Sequence, residues 1–173
     1  MTSRGFALFT TAIGTCGIAW SDAGIIAVQL PEPSEAATRA RLASRCAGGR
    51  EMPPPPEVQR AVDAIVSLLD GKATDLSFIT LDLDGVPDFH RLVYEVARTI
   101  QPGSTLTYGD IAVRLGDPGS ARAVGQALGR NPFVLVVPCH RVLAARGKTG
   151  GFSANGGTST KLTLLAIEGA QLF

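Results

Sequence analysis

The chain has 173 residues, of which 45% are apolar and 18% charged, and its formal net charge is +1 at pH 7. This composition predicts a globular protein with one large or two small hydrophobic cores, and it excludes a disordered chain. No apolar run approaches the roughly 18 to 20 residues of a transmembrane helix, and the apolar segment 6–20 lacks the features of a signal peptide. We therefore expect a cytoplasmic protein with no membrane association.

The first 30 residues alternate short apolar runs with Gly, Ser and Asp. The runs 5–9, 17–20 and 24–28 predict a three-stranded antiparallel meander. A helix follows over 35–45, and Ser34 is its expected N-cap.

A proline run separates this region from a second helix. Pro53–Pro56 is a potential ligand for an aromatic-groove module, but in a chain this short we interpret it as an extended spacer. The apolar spacing over 57–69 then predicts a helix that ends before Gly71. Residues 76–81 predict one more strand. We therefore expect residues 1–85 to form a small α/β domain.

The second half begins with a turn-rich boundary at 84–87 and carries more positive charge. Residues 87–173 contain nine basic against five acidic residues, whereas residues 1–86 contain seven against ten. This asymmetry is a weak indication of a nucleic-acid surface in the second half.

Three helices are predicted next. The first covers 88–100, and its expected apolar face consists of Leu92, Val93, Val96 and Ala97. His90, near its start, is interpreted as a surface or capping residue. Thr107 and Asp110 have the order of a capping box and open a short helix through Leu115.

The third helix is expected over 119–128, with Asp117 as cap and Pro118 in the first turn. Together the last two helices form a helix-turn-helix. The second has an unusual surface with several small residues: Ala121, Ala123, Gly125 and Ala127. Such a surface, with Arg122 beside it, fits either close approach to a nucleic-acid backbone or a packed helix whose arginine forms a surface ion pair. The residues by themselves leave both open.

The reactive groups follow a buried apolar run. Residues 134–137 predict a short strand that Pro138 ends, and Cys139 comes next, followed by His140 and Arg141. Cationic or hydrogen-bonding neighbours lower a thiol's pKa from about 8.5, so we expect these two residues to activate Cys139. Cys16 lies in an apolar segment and Cys46 near the end of a predicted helix, and we interpret both as small hydrophobic residues. The three cysteines are widely spaced, so they predict neither a disulfide framework nor a metal site.

The chain ends with a glycine-rich loop and a helix. The loop, 147–157, contains Phe152 and Ser153 and is expected to wall a pocket beside Cys139. The helix runs from Ser159 or Thr160 to Ile167, and Glu168 follows it.

Three segments in this order resemble the O6-alkylguanine-DNA alkyltransferase family: Arg122-Ala123-Val124-Gly125, Asn131-Pro132 and Pro138-Cys139-His140-Arg141-Val142. The resemblance covers residues 89–169 well and the first 85 residues only loosely. It implies a mixed α/β (α+β) fold, with a supporting N-terminal antiparallel-sheet domain over 1–85. A mostly helical domain over 86–173 would carry the helix-turn-helix and the active-site cysteine.

The resemblance also implies the activity. A methyl or other alkyl group of O6-alkylguanine in double-stranded DNA would move to Cys139 in a single turnover, in a monomer that needs no metal and no organic cofactor. In the same way, His140 would take the thiol proton through a water molecule, Glu168 would orient His140, and Asn131 would join this network.

The remaining implied roles concern DNA and the base. Arg122 would fill the space left by a flipped base, on a helix whose small residues Ala121, Ala123 and Gly125 approach the minor groove. Tyr108 would donate a proton to the departing guanine, and backbone groups near Val142 and Ser153 would recognise the base. Two departures from the usual family pattern are His90 in place of Gln and Phe152 in place of Tyr.

Other classes fit the sequence less well. An alkyltransferase-like protein that binds lesions without repairing them lacks the cysteine present here at 139. A helix-turn-helix regulator would need a ligand domain that the chain does not display, and a thiol protease or redox protein does not explain the helix-turn-helix.

Overall fold

The computed structural model describes residues 3–145 and 148–170, and these form two compact units. Unit 1 contains the chain up to Leu83 together with Pro132–Val136, and unit 2 contains Asp84–Asn131 and the chain from Val137 onward. The five residues Pro132–Val136 therefore belong to unit 1, although both of their neighbours in sequence belong to unit 2.

Unit 1 is built on a four-stranded sheet in the order β3-β2-β1-β4. Its strands are β1 (Gly5–Thr11), β2 (Gly14–Ser21), β3 (Gly24–Gln29) and β4 (Arg50–Glu51). The first three are antiparallel neighbours, which confirms the predicted meander. Strand β4 pairs parallel with β1 over two residues and was not predicted, because two polar residues have no recognisable period.

Two helices accompany this sheet, α1 (Glu35–Ser44) and α2 (Pro56–Leu69). The hydroxyl of Ser34 accepts a hydrogen bond from the backbone N–H of Ala37 at 3.0 Å, so the predicted N-cap is confirmed. The spacer interpretation is wrong for Pro56, which is the first residue of α2. A proline fits that position because the first helical N–H has no intrahelical partner.

Two predicted strands, 76–81 and 134–137, are wrong. The two segments instead cover the outer edge of β3 through single bridges, which pair Leu81 with Ile25 and Phe133 with Val28. The apolar residues of 134–137 are all buried, as expected. However, the chain turns at Leu135, which has a positive φ of 75°. A short apolar run indicates burial, but its period does not distinguish a buried turn from a buried strand.

Unit 2 contains four helices among its described residues: α3 (Asp88–Ala97), α4 (Tyr108–Arg114), α5 (Ala121–Gly129) and α6 (Thr158–Ile167). A two-stranded parallel pair joins β5 (Leu106–Thr107) to β6 (Val142–Leu143). Helix α3 ends three residues before the predicted end. Leu92 was expected on its apolar face but is 51% exposed, and Tyr94 is buried instead.

The helix-turn-helix consists of α4, a 3-10 turn over Pro118–Ser120, and α5. Thr107 and Asp110 form both hydrogen bonds of the capping box, at 3.0 and 2.9 Å, as predicted. Asp117 does not cap through its side chain; its carbonyl accepts from the N–H of Ser120. The mixed α/β fold class is confirmed. Within the described residues, no helix has the length and apolar character needed to cross a membrane.

Candidate active site and nucleic-acid interface

Local folding places Cys139 beside the start of the helix-turn-helix. Residues Cys139–Arg141 form one 3-10 turn, and β6 follows immediately. Strand β6 pairs with β5, which leads directly into Tyr108 at the first turn of α4. Two residues that are 31 positions apart in sequence are thus brought to one region of unit 2.

Cys139 opens onto a cavity of about 340 Å³. The cavity is lined by Tyr108, Gly125, Leu128, Gly129, Cys139, Gly151, Phe152 and Ser153. This volume lies in the usual range of small-molecule sites, about 300 to 1,000 Å³. Cys139 is only 6% exposed, so this cavity borders a residue that is otherwise buried.

The surroundings of the thiol differ from the sequence expectation. Burial raises the pKa of Cys139, and the opposing effects come from a hydrogen bond with the side chain of Asn131 and from the charge of Lys161. The predicted lowering of the Cys139 pKa below its ordinary value is wrong, because burial outweighs the opposing effects. The side chains of His140 and Arg141 both bind Glu168.

Glu168 is held by two basic side chains. Its Oε2 lies 2.9 Å from Nε2 of His140 and accepts from Nη2 of Arg141 at 2.8 Å, while its Oε1 accepts from Nε of Arg141 at 2.8 Å. Burial by itself would raise the pKa of Glu168, but the hydrogen bonds and charges of Arg141 and His140 lower it to about 2. The carboxylate is therefore ionised at neutral pH.

His140 is arranged to accept a proton. Burial lowers its pKa below the ordinary value of 6.5 against the opposing effect of Glu168, so the ring is neutral at pH 7. Since the ionised carboxylate can only accept, Nε2 carries the ring proton and Nδ1 is the basic nitrogen. Nδ1 is buried and has no hydrogen-bond partner among the described residues.

Lys161 is part of this site and was missed in the sequence analysis. It is fully buried on α6, and its Nζ donates to the carbonyl oxygens of Val142 at 2.7 Å and Gly151 at 3.3 Å. Burial lowers the pKa of Lys161 to about 8. Its position three and four residues before the buried Leu164 and Leu165 places it on the inner face of α6, which is the signal that was available.

Asn131 and Tyr108 flank the thiol in different ways. The side-chain amide of Asn131 donates to the carbonyl of Val137 at 2.9 Å, and Asn131 is buried. Tyr108 lines the cavity, and burial, together with the nearby Cys139, raises the pKa of its hydroxyl above the ordinary value. The phenol is therefore protonated at neutral pH.

The predicted nucleic-acid surface of α5 is accessible. Arg122 is exposed, and no hydrogen bond or ion pair is recorded for it with any described residue. Ala121, Ala123 and Gly125 are half-buried, and a Cβ at Gly125 would meet nothing within 4 Å. This open surface does not match the alternative in which Arg122 forms a surface ion pair.

A curated relative decides the family. Over 156 residues, or 90% of the chain, the protein is 37% identical to the methylated-DNA–protein-cysteine methyltransferase of Methanothermobacter thermautotrophicus, and the match covers 80% of that relative. The chain belongs to the methylated-DNA–protein-cysteine methyltransferase family. Members are also called O6-alkylguanine-DNA alkyltransferases, so the family resemblance seen in the sequence is confirmed.

Other comparisons agree with this assignment. The sequence-family model of the 6-O-methylguanine DNA methyltransferase DNA-binding domain matches residues 88–170. The alkyltransferase of Mycolicibacterium paratuberculosis is 47% identical over 108 residues, which are 62% of this chain and 63% of that protein.

Solved structures of alkyltransferases have the same fold. Mycobacterium tuberculosis OGT in complex with DNA superposes with a TM-score of 0.77 at 32% identity, covering 95% of this chain and 92% of that one. The O6-methylguanine-DNA methyltransferase of Pyrococcus kodakaraensis gives a TM-score of 0.74 at 27% identity, covering 95% and 99%.

The other cysteines of this alkyltransferase lie in unit 1 and are buried and free of disulfides. Burial raises the pKa of Cys46 and raises that of Cys16 to about 11. In the described parts of the chain, no cluster of three or more His, Cys, Asp or Glu residues is placed to hold a metal ion.

Proposed function

We propose that this alkyltransferase repairs DNA by moving the alkyl group of an O6-alkylguanine to the sulfur of Cys139, once per molecule. The observation that carries the proposal is the combination of a cysteine that lines a cavity with a neutral histidine and an ionised carboxylate. This is the order of nucleophile, base and orienting group that cysteine chemistry requires.

Proton removal is assigned to His140. The pKa of Cys139 is raised, so the thiol needs a base, and neutral His140 has Nδ1 available to accept the proton through a water molecule. Glu168 holds the ring through Nε2 and stabilises the imidazolium that forms. Asn131 and Lys161 stabilise the thiolate, by a hydrogen bond and a positive charge respectively.

The transfer step follows from the thiolate. The sulfur attacks the alkyl carbon, a carbon–sulfur bond forms, and the carbon–oxygen bond to the guanine breaks with its electron pair remaining on the base. Tyr108, whose hydroxyl is protonated at neutral pH, donates toward the departing guanine. The backbone near Val142 and Ser153 is assigned to recognition of the base. Ser153 lines the cavity, and Lys161 donates a hydrogen bond to the Val142 carbonyl.

DNA binding is assigned to α5. Its small residues Ala121, Ala123 and Gly125 allow close approach to the minor groove, and the exposed Arg122 would occupy the space of the flipped base. Removing a base from the duplex costs a few kcal/mol, and less when alkylation has weakened its pairing. Arg122 offsets part of that cost.

The product is a thioether at Cys139, which ends the activity of the molecule without a metal or organic cofactor. We assign the chemistry and DNA binding to the domain over 86–173 and a supporting role to residues 1–85. The protein acts as a monomer, and we place it in the cytoplasm, where a reducing environment preserves the free thiol.

The test is incubation with a duplex that contains one O6-methylguanine, followed by peptide mass analysis. We expect one added methyl group on the Cys139 peptide, and none in Cys139→Ala or on the peptides of Cys16 and Cys46. Binding of the lesion without methyl transfer would overturn the proposal and favour a lesion-binding protein.

A further inference from the structure

The segment Pro132–Val136 links unit 1 to the reactive cysteine through the backbone. The chain leaves unit 2 after Asn131, runs for five residues within unit 1, and returns at Val137, two residues before Cys139. Val137 therefore joins the segment directly to the turn that carries Cys139.

The segment is held within unit 1 by backbone contacts to β3. The N–H of Val28 on β3 donates to the carbonyl of Pro132 at 2.9 Å, and Phe133 forms a bridge with Val28. Phe133, at this bridge, is 1% exposed, so its side chain is buried. Leu135 then reverses the chain with a φ of 75°, a conformation that non-glycine residues adopt only when their surroundings enforce it.

The return to unit 2 is also fixed. The carbonyl of Val137 accepts from the side chain of Asn131 at 2.9 Å and from the N–H of Cys139 at 2.8 Å. The Val137 carbonyl is thus hydrogen-bonded to Asn131, just before the segment, and to Cys139, just after it.

We propose that Pro132–Val136 is a positioning segment through which unit 1 sets the placement of Cys139 for transfer. This inference rests on the proposed alkyl transfer and gives the N-terminal unit a definite part in it. Phe133 is its anchor and a positioning residue, because it reaches the reacting sulfur only through Val137.

The experiment compares two buried residues of unit 1. Phe133→Ala removes the anchor, whereas Ile65→Ala removes a fully buried side chain from α2, which packs against β1, two strands away from β3. Transfer from free O6-benzylguanine is measured at a temperature where circular dichroism shows both variants folded. A small displacement of a reacting group slows a reaction by about tenfold to a hundredfold. We expect this reduction of the maximal transfer rate in Phe133→Ala, with an unchanged half-saturating concentration, and a rate within twofold of wild type in Ile65→Ala.

Two further measurements distinguish positioning by Phe133 from a general loss of core packing. Phe133→Leu restores an apolar anchor and is expected to recover most of the rate. Labelling of Cys139 by iodoacetamide over a range of pH needs no alkylguanine, so it separates this inference from the proposed function: we expect its midpoint to move in Phe133→Ala and not in Ile65→Ala. Equal slowing and equal midpoints in the two alanine variants, or a wild-type rate in Phe133→Ala, would overturn the proposal.

Discussion

Two buried thiols of this protein have opposite surroundings. Cys16, on β2, is fully buried, and its nearest polar partner is the hydroxyl of Thr11, with 3.6 Å between Oγ1 and Sγ. Burial raises its pKa to about 11. Cys139 is almost as deeply buried, and burial raises its pKa as well, but it borders a cavity and has Asn131 and Lys161 to oppose that effect.

The comparison shows that burial does not separate a structural cysteine from a reactive one. The difference lies in access and in polar groups that stabilise the thiolate or receive its proton. A raised pKa is compatible with reactivity when a neutral base is available, because the base can take the thiol proton as the sulfur reacts.

The largest effect is expected from His140→Ala, which should make Cys139 resemble Cys16. Loss of a general base lowers rates by about 10²- to 10⁴-fold, and we expect a reduction in this range for transfer from O6-benzylguanine at pH 7. The measurement is the rate at which the alkylated Cys139 peptide appears. Cys16→Ala is the matched control, and its transfer rate should lie within twofold of wild type. A transfer rate within twofold of wild type in His140→Ala would show that His140 is not the general base.

Glu168→Gln should reduce stability in a pH-dependent way. The variant leaves Arg141 buried without its ionic partner, and breaking such a pair costs about 3 to 5 kcal/mol in the free energy of unfolding. The pKa of Glu168 is about 2 in the folded state against 4.5 ordinarily, so its contribution is complete above pH 4.5 and is lost as the pH falls toward 2.

Urea unfolding of wild type and Glu168→Gln at pH 7, 4 and 3 tests this expectation. The stability difference between the two proteins should be largest at pH 7 and should narrow at each lower pH. A difference that stays constant over this range would show that Glu168 is not held ionised by its partners.

Lys161→Met tests how much the positive charge of Lys161 contributes to the difference between Cys139 and Cys16. Removing the cation should raise the pKa of Cys139, and one pKa unit corresponds to about a tenfold lower thiolate fraction. We expect about that reduction in iodoacetamide labelling of Cys139 at pH 7, with the labelling midpoint moved to higher pH. Leu162→Met, at a neighbouring exposed position of α6, should leave the midpoint unchanged.

Arg122→Ala should leave the chemistry of the thiol unchanged, because it alters access to the base. We expect repair of O6-methylguanine in duplex DNA to slow about tenfold, in line with the 1–3 kcal/mol of a good contact to DNA. Transfer from free O6-benzylguanine should change less than twofold. Arg60→Ala, which removes a positive charge from unit 1, is the control, and equal slowing of both substrates in Arg122→Ala would contradict a base-flipping role.

Local patterns predicted the elements whose signals lie within a few residues. Ser34 and the box of Thr107 and Asp110 begin helices as expected, because capping depends only on neighbours in sequence. The segments 76–81 and 134–137 were assigned wrongly as strands, because their pairing with β3 joins residues 56 and 105 positions apart. The predicted burial of 134–137 is confirmed, but the sequence did not predict the turn at Leu135.

The sequence by itself determined the family and the order of the helix-turn-helix, and it predicted Cys139 as the nucleophile, because these are carried by contiguous residue types. Only the tertiary structure decided what surrounds Cys139. It turned Arg141 toward Glu168, buried Lys161 against two carbonyls and joined β5 to β6, because side-chain direction and partners across the chain depend on packing. The positive charge beside the thiol therefore comes from Lys161, 22 positions further along the chain, and not from the adjacent Arg141.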